Sequence, residues 1–261
     1  MKKQSVPETS LGGISATTPR AKRLAAHWEG APCRARELSI GIVVPIFNEA
    51  ALLEAALERL QRTAGAFPVV VVDGSSTDGS ADTARRFFQT GICPGANRGA
   101  QLNCGAARLG TDVLLFLHAD SQLPEGFASQ IRRALRHPRV VGGCFRLAFD
   151  APRLMLRLYS WCTRFPGRFF HFGDQGFFVR REAFVRMGGF RELPFLEDVD
   201  FLRRLGRYGR FAVLPIPVVT SARRFLRRGI VRQQLRNILL VALFELGVPA
   251  ERLARFYPHD R

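Results

Sequence analysis

Apolar residues along this chain fall into short runs that alternate with segments of helical periodicity. The runs are rich in β-branched residues and are bounded by turn-forming residues, which is typical of buried strands. We predict strands at 38–45, 67–73, 91–93, 112–120 and 140–149, and helices at 49–63, 80–88, 99–109 and 124–136. This alternation predicts an α/β fold in which right-handed crossovers place helices on both faces of a mostly parallel central sheet.

The pattern changes after residue 150. An amphipathic, aromatic and basic helix is predicted at 154–165, and the remaining predicted elements are a strand at 177–180, helices at 181–187 and 197–208, a strand at 211–219 and a closing helix at 228–246. We divide the chain into a disordered basic tail at 1–36, a main domain at 37–222 and a helical extension at 223–261. The extension is expected to pack on the domain or on a membrane surface.

Charge is the unusual feature of the composition. The 261 residues carry a net charge of +17, which predicts an anionic partner such as a phosphorylated substrate, a phospholipid surface or nucleic acid. The five cysteines form no C-x-x-C pair, which argues against a zinc site or a disulfide framework and fits a reducing cytoplasm. We find no secretory signal and no apolar run long enough to span a membrane.

Two predicted strands end on a carboxylate. Asp120 closes the strand at 112–120, and Asp73 closes the strand at 67–73 before a hydroxyl-rich turn. Ligands of open α/β sheets bind outside the carboxyl ends of the strands, so these side chains can meet a metal, a phosphate or a nucleoside. The structural alternative is that each carboxylate caps a turn or the helix that follows it.

A second acidic cluster comes later in the chain, at 197–200. Its acids open a predicted helix, where the helix dipole favours negative charge, but one of them can also act as a general base. The loop of Gly173, Asp174 and Gln175 can line the same cleft. Arg98, near the start of the helix at 99–109, can reach a phosphate or a base, or lie on a solvated face.

Taken together, these motifs resemble family-2 glycosyltransferases of the GT-A fold. The resemblance rests on P-I-F-N-E at 45–49, D-G-S-S-T-D-G-S at 73–80, the N-R-G helix start at 97–99, H-A-D at 118–120 and E-D-V-D at 197–200, and it covers 38–215. Short segments at 173–175, 221–224 and 247–249 further resemble a small bacterial subgroup labelled as a "transferase 2" type. Some of its members are called carotenoid-acid glycosyltransferases by similarity.

The resemblance implies a donor site for a nucleotide-diphosphate sugar of the UDP, GDP or dTDP type. Asp73 would bind the base, Pro45 and Glu49 would line the nucleotide pocket, and Arg98 would contact the nucleotide. Asp120 matches the last Asp of the family's D-x-D motif, which binds Mn²⁺ or Mg²⁺. His118 occupies the position of the first Asp and would either contact the metal or the ribose or be a packed histidine with a structural role.

The resemblance also implies an acceptor side. Asp198 matches the catalytic base of inverting members, while Gly173, Asp174, Gln175 and Glu197 would form the acceptor region. Arg223 and Arg224 are candidates for phosphate contacts.

The resulting hypothesis is a glycosyltransferase that adds a single sugar to a hydroxyl or carboxyl acceptor, which can be lipid-like. The Q-x-x-R-W motif of processive polysaccharide synthases is absent from the sequence. The protein would act in the cytoplasm, either free or bound peripherally at the inner face of the cell membrane. The alternatives are a nucleotidyltransferase and a non-catalytic basic protein that binds nucleic acid or membranes.

Overall fold

The computed structural model describes residues 37–95, 97–165, 171 and 173–256. The predicted tail at 1–36 lies outside these residues, as do residues 257–261 of the predicted extension. The strands are β1 Ile40–Ile46, β2 Val69–Asp73, β3 Gln89–Ile92, β4 Val113–Phe116, β5 Val140–Phe149, β6 Phe177–Arg180 and β7 Arg210–Thr220. The helices are α1 Ala50–Ala64, α2 Ser80–Arg85, α3 Arg98–Ala107, α4 Phe127–Leu135, α5 Leu154–Cys162, α6 Arg181–Met187, α7 Glu197–Leu205, α8 Arg223–Arg228, α9 Ile230–Glu245 and α10 Ala250–Ala254.

The seven strands form one sheet in the order β3-β2-β1-β4-β6-β5-β7. Neighbouring strands are parallel except at β6, which runs antiparallel to both β4 and β5. The predicted mostly parallel α/β sheet is therefore confirmed. Because β1 and β4 are parallel neighbours, their carboxyl ends lie at the same edge of the sheet.

Helices cover both faces of this sheet, as predicted. On one face, Ile42 and Val44 of β1 pack with buried residues of α1 and α4. On the other face, Val43 packs with residues of α3, α6 and α7. Gly105 lets α3 approach the strands closely, because a Cβ atom there would lie 2.4 Å from Cγ1 of Val43. This close packing fixes the start of α3 near the carboxyl-end edge.

The fourth strand is shorter than predicted. It ends at Phe116, not at Asp120, because the N–H of Ser121 donates a hydrogen bond of 3.1 Å to the carbonyl of His118 and closes a turn. Leu117 still pairs through its N–H with the carbonyl of Val43, so the chain leaves the sheet only at His118. Asp120 is therefore part of a turn beyond the strand.

The C-terminal part also differs from the single closing helix that we predicted. Gly229, with a φ of +83°, separates α8 from α9, and α10 follows as a further helix. Leu240 and Phe244 of α9 pack against Phe195 and Val199, beside the start of α7. The proposed boundary at 222 stays a prediction. In the part of the chain that the structure describes, no helix is long and apolar enough to cross a membrane.

Candidate active site

A cavity of about 240 Å³ lies where the carboxyl end of β4 meets α7, α8 and α9. In open α/β sheets this edge is where ligands bind. The sequence-predicted residues that line it are Arg98, His118, Asp120, Gly173, Asp174, Glu197, Asp198, Arg223 and Arg224. The fold thus brings together residues as far apart in the sequence as Arg98 and Arg224, which are separated by 126 positions.

The carboxylate of Asp198 is held by main-chain N–H groups. Its Oδ2 accepts a hydrogen bond of 2.6 Å from Gly173, and its Oδ1 accepts one of 2.8 Å from Val199. A Cβ atom at Gly173 would lie 2.8 Å from Nε2 of His118 and 3.2 Å from Oδ2 of Asp198. Glycine therefore allows the turn to pass between these two side chains. The arrangement gives one carboxylate at the cavity a defined position, as proton abstraction requires.

The carboxyl group of Asp174 lies in an environment of the cavity that disfavours its charged form. Its Oδ1 is buried and has no hydrogen-bond partner among the described residues. Burial, followed by the negative charges of Asp198 and Asp120, raises the pKa of Asp174 to about 7. A buried acceptor without a donor, next to two further acids, favours the binding of a proton or a cation at this point.

Asp120 stands at the exposed rim of the same cavity. Desolvation raises the pKa of its carboxyl group, while the positive charges of Arg224, Arg98 and Arg223 act in the opposite direction. The charge of Asp120 in turn acts on Asp174, so Asp120 interacts both with an acid and with the arginines of the cavity.

The arginines come from two distant segments. Arg98 begins α3, and its Nη1 lies 3.5 Å from Oε1 of Glu197, which is 4% exposed. Arg223 and Arg224 begin α8 and are exposed. Guanidinium groups bind phosphate oxygens through paired hydrogen bonds, so this side of the cavity suits a diphosphate.

Asp73 lies outside the lining of the cavity. Its carboxylate accepts hydrogen bonds from the N–H and the hydroxyl of Ser76, at 2.9 and 2.5 Å, and the residue is buried. The hydroxyl of Ser76 also accepts a hydrogen bond from the N–H of Asn48. The turns that follow β1 and β2 are therefore joined to each other. Pro45 is buried in β1, opposite Val72.

Glu49 follows the turn after β1, and charged residues of the cavity influence its carboxyl group. It is exposed at the start of α1 and does not line the cavity, yet the charges of Asp120, Arg98, Arg223 and Arg224 all act on its carboxyl group. Desolvation and then the charge of Asp120 raise the pKa of Glu49 to about 7. Because Glu49 is exposed, solvent screens the charges that act on its carboxyl group.

Gln175 belongs to the same short turn as Gly173 but faces the core. Its Oε1 lies 2.9 Å from Nδ1 of His171 and 3.1 Å from Sγ of Cys144, and all three residues are buried. Gln175 therefore supports the turn from behind and does not line the cavity.

Sequence reasoning missed the polar residues that α9 contributes. Gln233 is buried, lines the cavity and donates a hydrogen bond of 2.8 Å to Oδ1 of Asn237, which also lines it. Tyr159 of α5 is a further missed lining residue. The signal was present in the sequence, because Gln233 and Asn237 are four positions apart and therefore lie on one face of the helix.

No group of three or more His, Cys, Asp or Glu side chains among the described residues is arranged to hold a metal alone. Asp120 and the unpartnered oxygen of Asp174 nevertheless offer hard oxygen ligands, which Mn²⁺ and Mg²⁺ prefer. These residues fit a divalent cation only if the substrate supplies the remaining ligands.

The family model described as "Glycosyl transferase family 2" matches residues 41–193, which is more than half of the chain. The chain therefore belongs to glycosyl transferase family 2, a family of transferase enzymes. This match confirms the resemblance that the motifs indicated.

Among curated relatives, the PGL/p-HBAD biosynthesis glycosyltransferase of Mycobacterium bovis is 37% identical over 98 residues, which are 32% of this chain and 36% of that protein. The succinoglycan biosynthesis protein ExoA of Rhizobium meliloti is 26% identical over 198 residues, which are 64% of this chain and 58% of ExoA. The chain thus spans about a third to somewhat over half of the length of these relatives.

Solved structures show the same fold. The mannosyltransferase PcManGT of Pyrobaculum calidifontis, in complex with GDP-Man and Mn²⁺, aligns with a TM-score of 0.59 at 22% identity, over 88% of this chain and 71% of PcManGT. Residues 1–349 of S. aureus TarS in complex with UDP-GlcNAc align with a TM-score of 0.56 at 15% identity, over 70% of this chain and 58% of that one. These similarities confirm the predicted GT-A fold.

Proposed function

We propose that this protein is an inverting glycosyltransferase that moves a single sugar from a nucleotide-diphosphate sugar to a hydroxyl or carboxyl acceptor. The observation that carries the proposal is the position of Asp198, whose carboxylate faces a cavity that also holds Asp120 and a group of arginines. A proton acceptor and a diphosphate site are the two parts that direct displacement at an anomeric carbon requires.

In the proposed reaction, Asp198 accepts the proton of the acceptor hydroxyl as its oxygen attacks the anomeric carbon. The bond from that carbon to the diphosphate oxygen breaks, and the nucleoside diphosphate leaves with the electron pair. One displacement inverts the configuration at the anomeric carbon. A carboxyl acceptor would enter already ionised, so Asp198 would then orient it through its neighbours instead of removing a proton.

The leaving group acquires negative charge, and Arg98, Arg223 and Arg224, which line the cavity, would bind it. Asp120 would hold a divalent cation, Mn²⁺ or Mg²⁺, with His118 beside it and diphosphate oxygens as further ligands. When bound, the cation would offset the charge of the diphosphate. The presence of Mn²⁺ in the PcManGT complex supports the choice of ion.

Asp73 and Glu49 are the proposed contacts for the nucleoside. The hydrogen bonds between the turns after β1 and β2 give this part of the donor site a fixed shape. Solved neighbours bind GDP-Man, UDP or UDP-GlcNAc, which supports a nucleotide sugar as the donor class. Glu197 and Asp174 would lie on the acceptor side.

The alternative functions are not favoured. A nucleotidyltransferase would carry a basic, glycine-rich loop after its first strand, whereas residues 45–49 contain no basic residue. A nucleic-acid-binding surface would not present Asp120, Asp174 and Asp198 together, because these acids repel a phosphate backbone. Peripheral binding at the inner face of the cell membrane stays a prediction.

A thermal-shift screen tests the donor class. The protein is heated with UDP, GDP or dTDP, each with and without Mn²⁺ or Mg²⁺. We expect at least one diphosphate to raise the melting temperature by about 5 °C when its concentration is about 100 times its Kd. The metal should increase this shift in the native protein and should not do so in Asp120→Asn.

The matched nucleoside monophosphate serves as the control, since it lacks the second phosphate that the arginines and the cation would bind. If none of the diphosphates changes the melting temperature with either metal, the proposed donor site is wrong.

A further inference from the structure

A second, apolar groove opens beside the cavity, between α5 and α9. Its volume is about 600 Å³, which lies in the range of small-molecule binding sites. Its floor consists of buried residues, Leu156, Phe225 and Val241. Its walls are exposed apolar side chains, namely Met155 and Leu158 of α5 with Val231, Leu235 and Ile238 of α9.

The wall residues of α9 form a continuous stripe. Val231, Leu235 and Ile238 follow the i, i+4, i+7 spacing of one helix face, and between 51% and 62% of each residue is exposed. Soluble proteins rarely leave such a stripe open to water unless it binds something. The stripe and the residues of α5 across the groove can enclose a narrow apolar ligand from two sides.

The groove adjoins the cavity. Tyr159, Phe225 and Val241 line both spaces, so a ligand that extends past these three side chains would enter the cavity that Asp198 lines. Gln234 is one of the few polar residues of the groove, and its side chain is hydrogen-bonded to that of Tyr159.

Positive charge surrounds the groove. The segments 151–165 and 221–244, which supply its helices, contain no acidic residue. Seven of their arginines are exposed, namely Arg153, Arg157, Arg164, Arg223, Arg224, Arg227 and Arg232. An apolar groove with a cationic border is complementary to an amphiphile that has an aliphatic chain and a polar or anionic end.

We infer that the groove binds the aliphatic chain of an amphiphilic acceptor, whose hydroxyl or carboxyl group enters the cavity and is presented to Asp198. This inference rests on the proposed glycosyltransfer. A single chain fits the observations better than a flat bilayer surface does, because the floor of the groove is buried and adjoins the proposed reaction site. The acceptor class is therefore a long-chain alcohol, acid or related single-chain lipid.

Binding of saturated fatty acids tests this inference without any requirement for turnover. Acids of roughly eight to sixteen carbons compete, below their micellar concentrations, with a fluorescent fatty acid bound to the full-length protein. Each methylene that the groove buries should tighten binding by about fourfold, until the chain exceeds the groove. Leu235→Asp and Ile238→Asp should each weaken binding of the longest acid by at least about tenfold, because they place a charge in the apolar wall.

Val185→Asp is the matched control. Val185 is a 65% exposed apolar residue of α6 that lines neither the groove nor the cavity, so this change should leave fatty-acid binding within about twofold. Equal weakening by all three changes, or binding that does not depend on chain length, would overturn the inference. Binding to anionic phospholipid vesicles without binding of single fatty acids would overturn it as well and would assign the face to a bilayer.

The same variants separate this inference from the proposed function. Leu235→Asp and Ile238→Asp should keep the melting shift that a nucleoside diphosphate produces in the native protein. If fatty acids bind as described and no diphosphate binds, the inference about the groove is supported and the proposed donor site is wrong. If a diphosphate binds and fatty acids do not, the proposed donor site is supported and the inference about the groove is wrong.

Discussion

Asp198 and Asp200 lie two positions apart on α7 and serve opposite purposes. Asp198 lines the cavity, whereas Asp200 is fully buried and its Oδ2 accepts a hydrogen bond of 2.7 Å from Nε of Arg204. Arg204 also donates to the carbonyls of Met187 and Gly189 and thereby ties α7 to the end of α6. The buried pair anchors the helix that presents Asp198.

Asp200→Ala should lower the free energy of unfolding by about 3–5 kcal/mol, because it leaves the Arg204 guanidinium buried without its counter-ion. Urea denaturation measures this loss. The control is Glu182→Ala, which removes an exposed pair with Arg186 at 3.7 Å and should change the free energy of unfolding by less than about 0.5 kcal/mol. Equal effects of the two changes would show that Asp200 is not structural.

Gly173→Ala should lower turnover by about tenfold or more and leave the fold intact. The added methyl group would lie 2.8 Å from Nε2 of His118 and 3.2 Å from Oδ2 of Asp198, so these side chains would have to move apart. The assay is release of the nucleoside diphosphate from its sugar. Gly110→Ala is the control, since a Cβ atom there would meet nothing within 4 Å. Normal turnover of Gly173→Ala would mean that the separation of the two side chains is unimportant.

Asp174 should make the protein less stable as the pH rises. The pKa of its carboxyl group is 3.8 in its ordinary state and about 7 in the folded protein. Between these values the folded state binds more protons than the unfolded state, so the free energy of unfolding falls as the pH rises and the loss is complete above about pH 7. Asp174→Asn removes this cost and should stabilise the protein more at pH 8 than at pH 5.

Melting temperatures of the native protein and Asp174→Asn at both pH values provide the measurement. Glu125→Gln, a change at an exposed carboxylate outside the cavity, should shift the melting temperature little at either pH. A stabilisation by Asp174→Asn that is the same at pH 5 and pH 8 would contradict the raised pKa.

The periodicity of the sequence was sufficient to predict the sheet and most helices, because buried strands and amphipathic helices have strong local patterns. It could not predict where the chain turns away from β4, since Leu117 remains apolar and buried beyond the last residue of the strand. Periodicity also missed α8 and α10, because helices of six and five residues are too short to show a repeating pattern. Local spacing also could not distinguish the acids at 197–200, because their roles depend on Arg98 and Arg204.

Arg224→Met should weaken binding of the nucleoside diphosphate by about tenfold, because it removes a cation that lines the proposed diphosphate site. The salt dependence of binding should also become less steep. Calorimetric titration at two ionic strengths measures both effects. Arg136→Met, at an exposed site after α4, should change neither the affinity nor its salt dependence. Unchanged affinity in Arg224→Met would remove this residue from the donor site.

Asp198→Asn tests the proposed base most directly, because the amide oxygen can still accept the hydrogen bond from Gly173, with loss of the one from Val199, while the side chain can no longer take a proton. Turnover is followed as release of the nucleoside diphosphate in the presence of a hydroxyl acceptor, and diphosphate affinity is measured in parallel by calorimetry. We predict a Kd within about threefold of the native value and a loss of turnover of at least about 100-fold. Near-normal turnover at that unchanged affinity would contradict the assignment of Asp198 as the base.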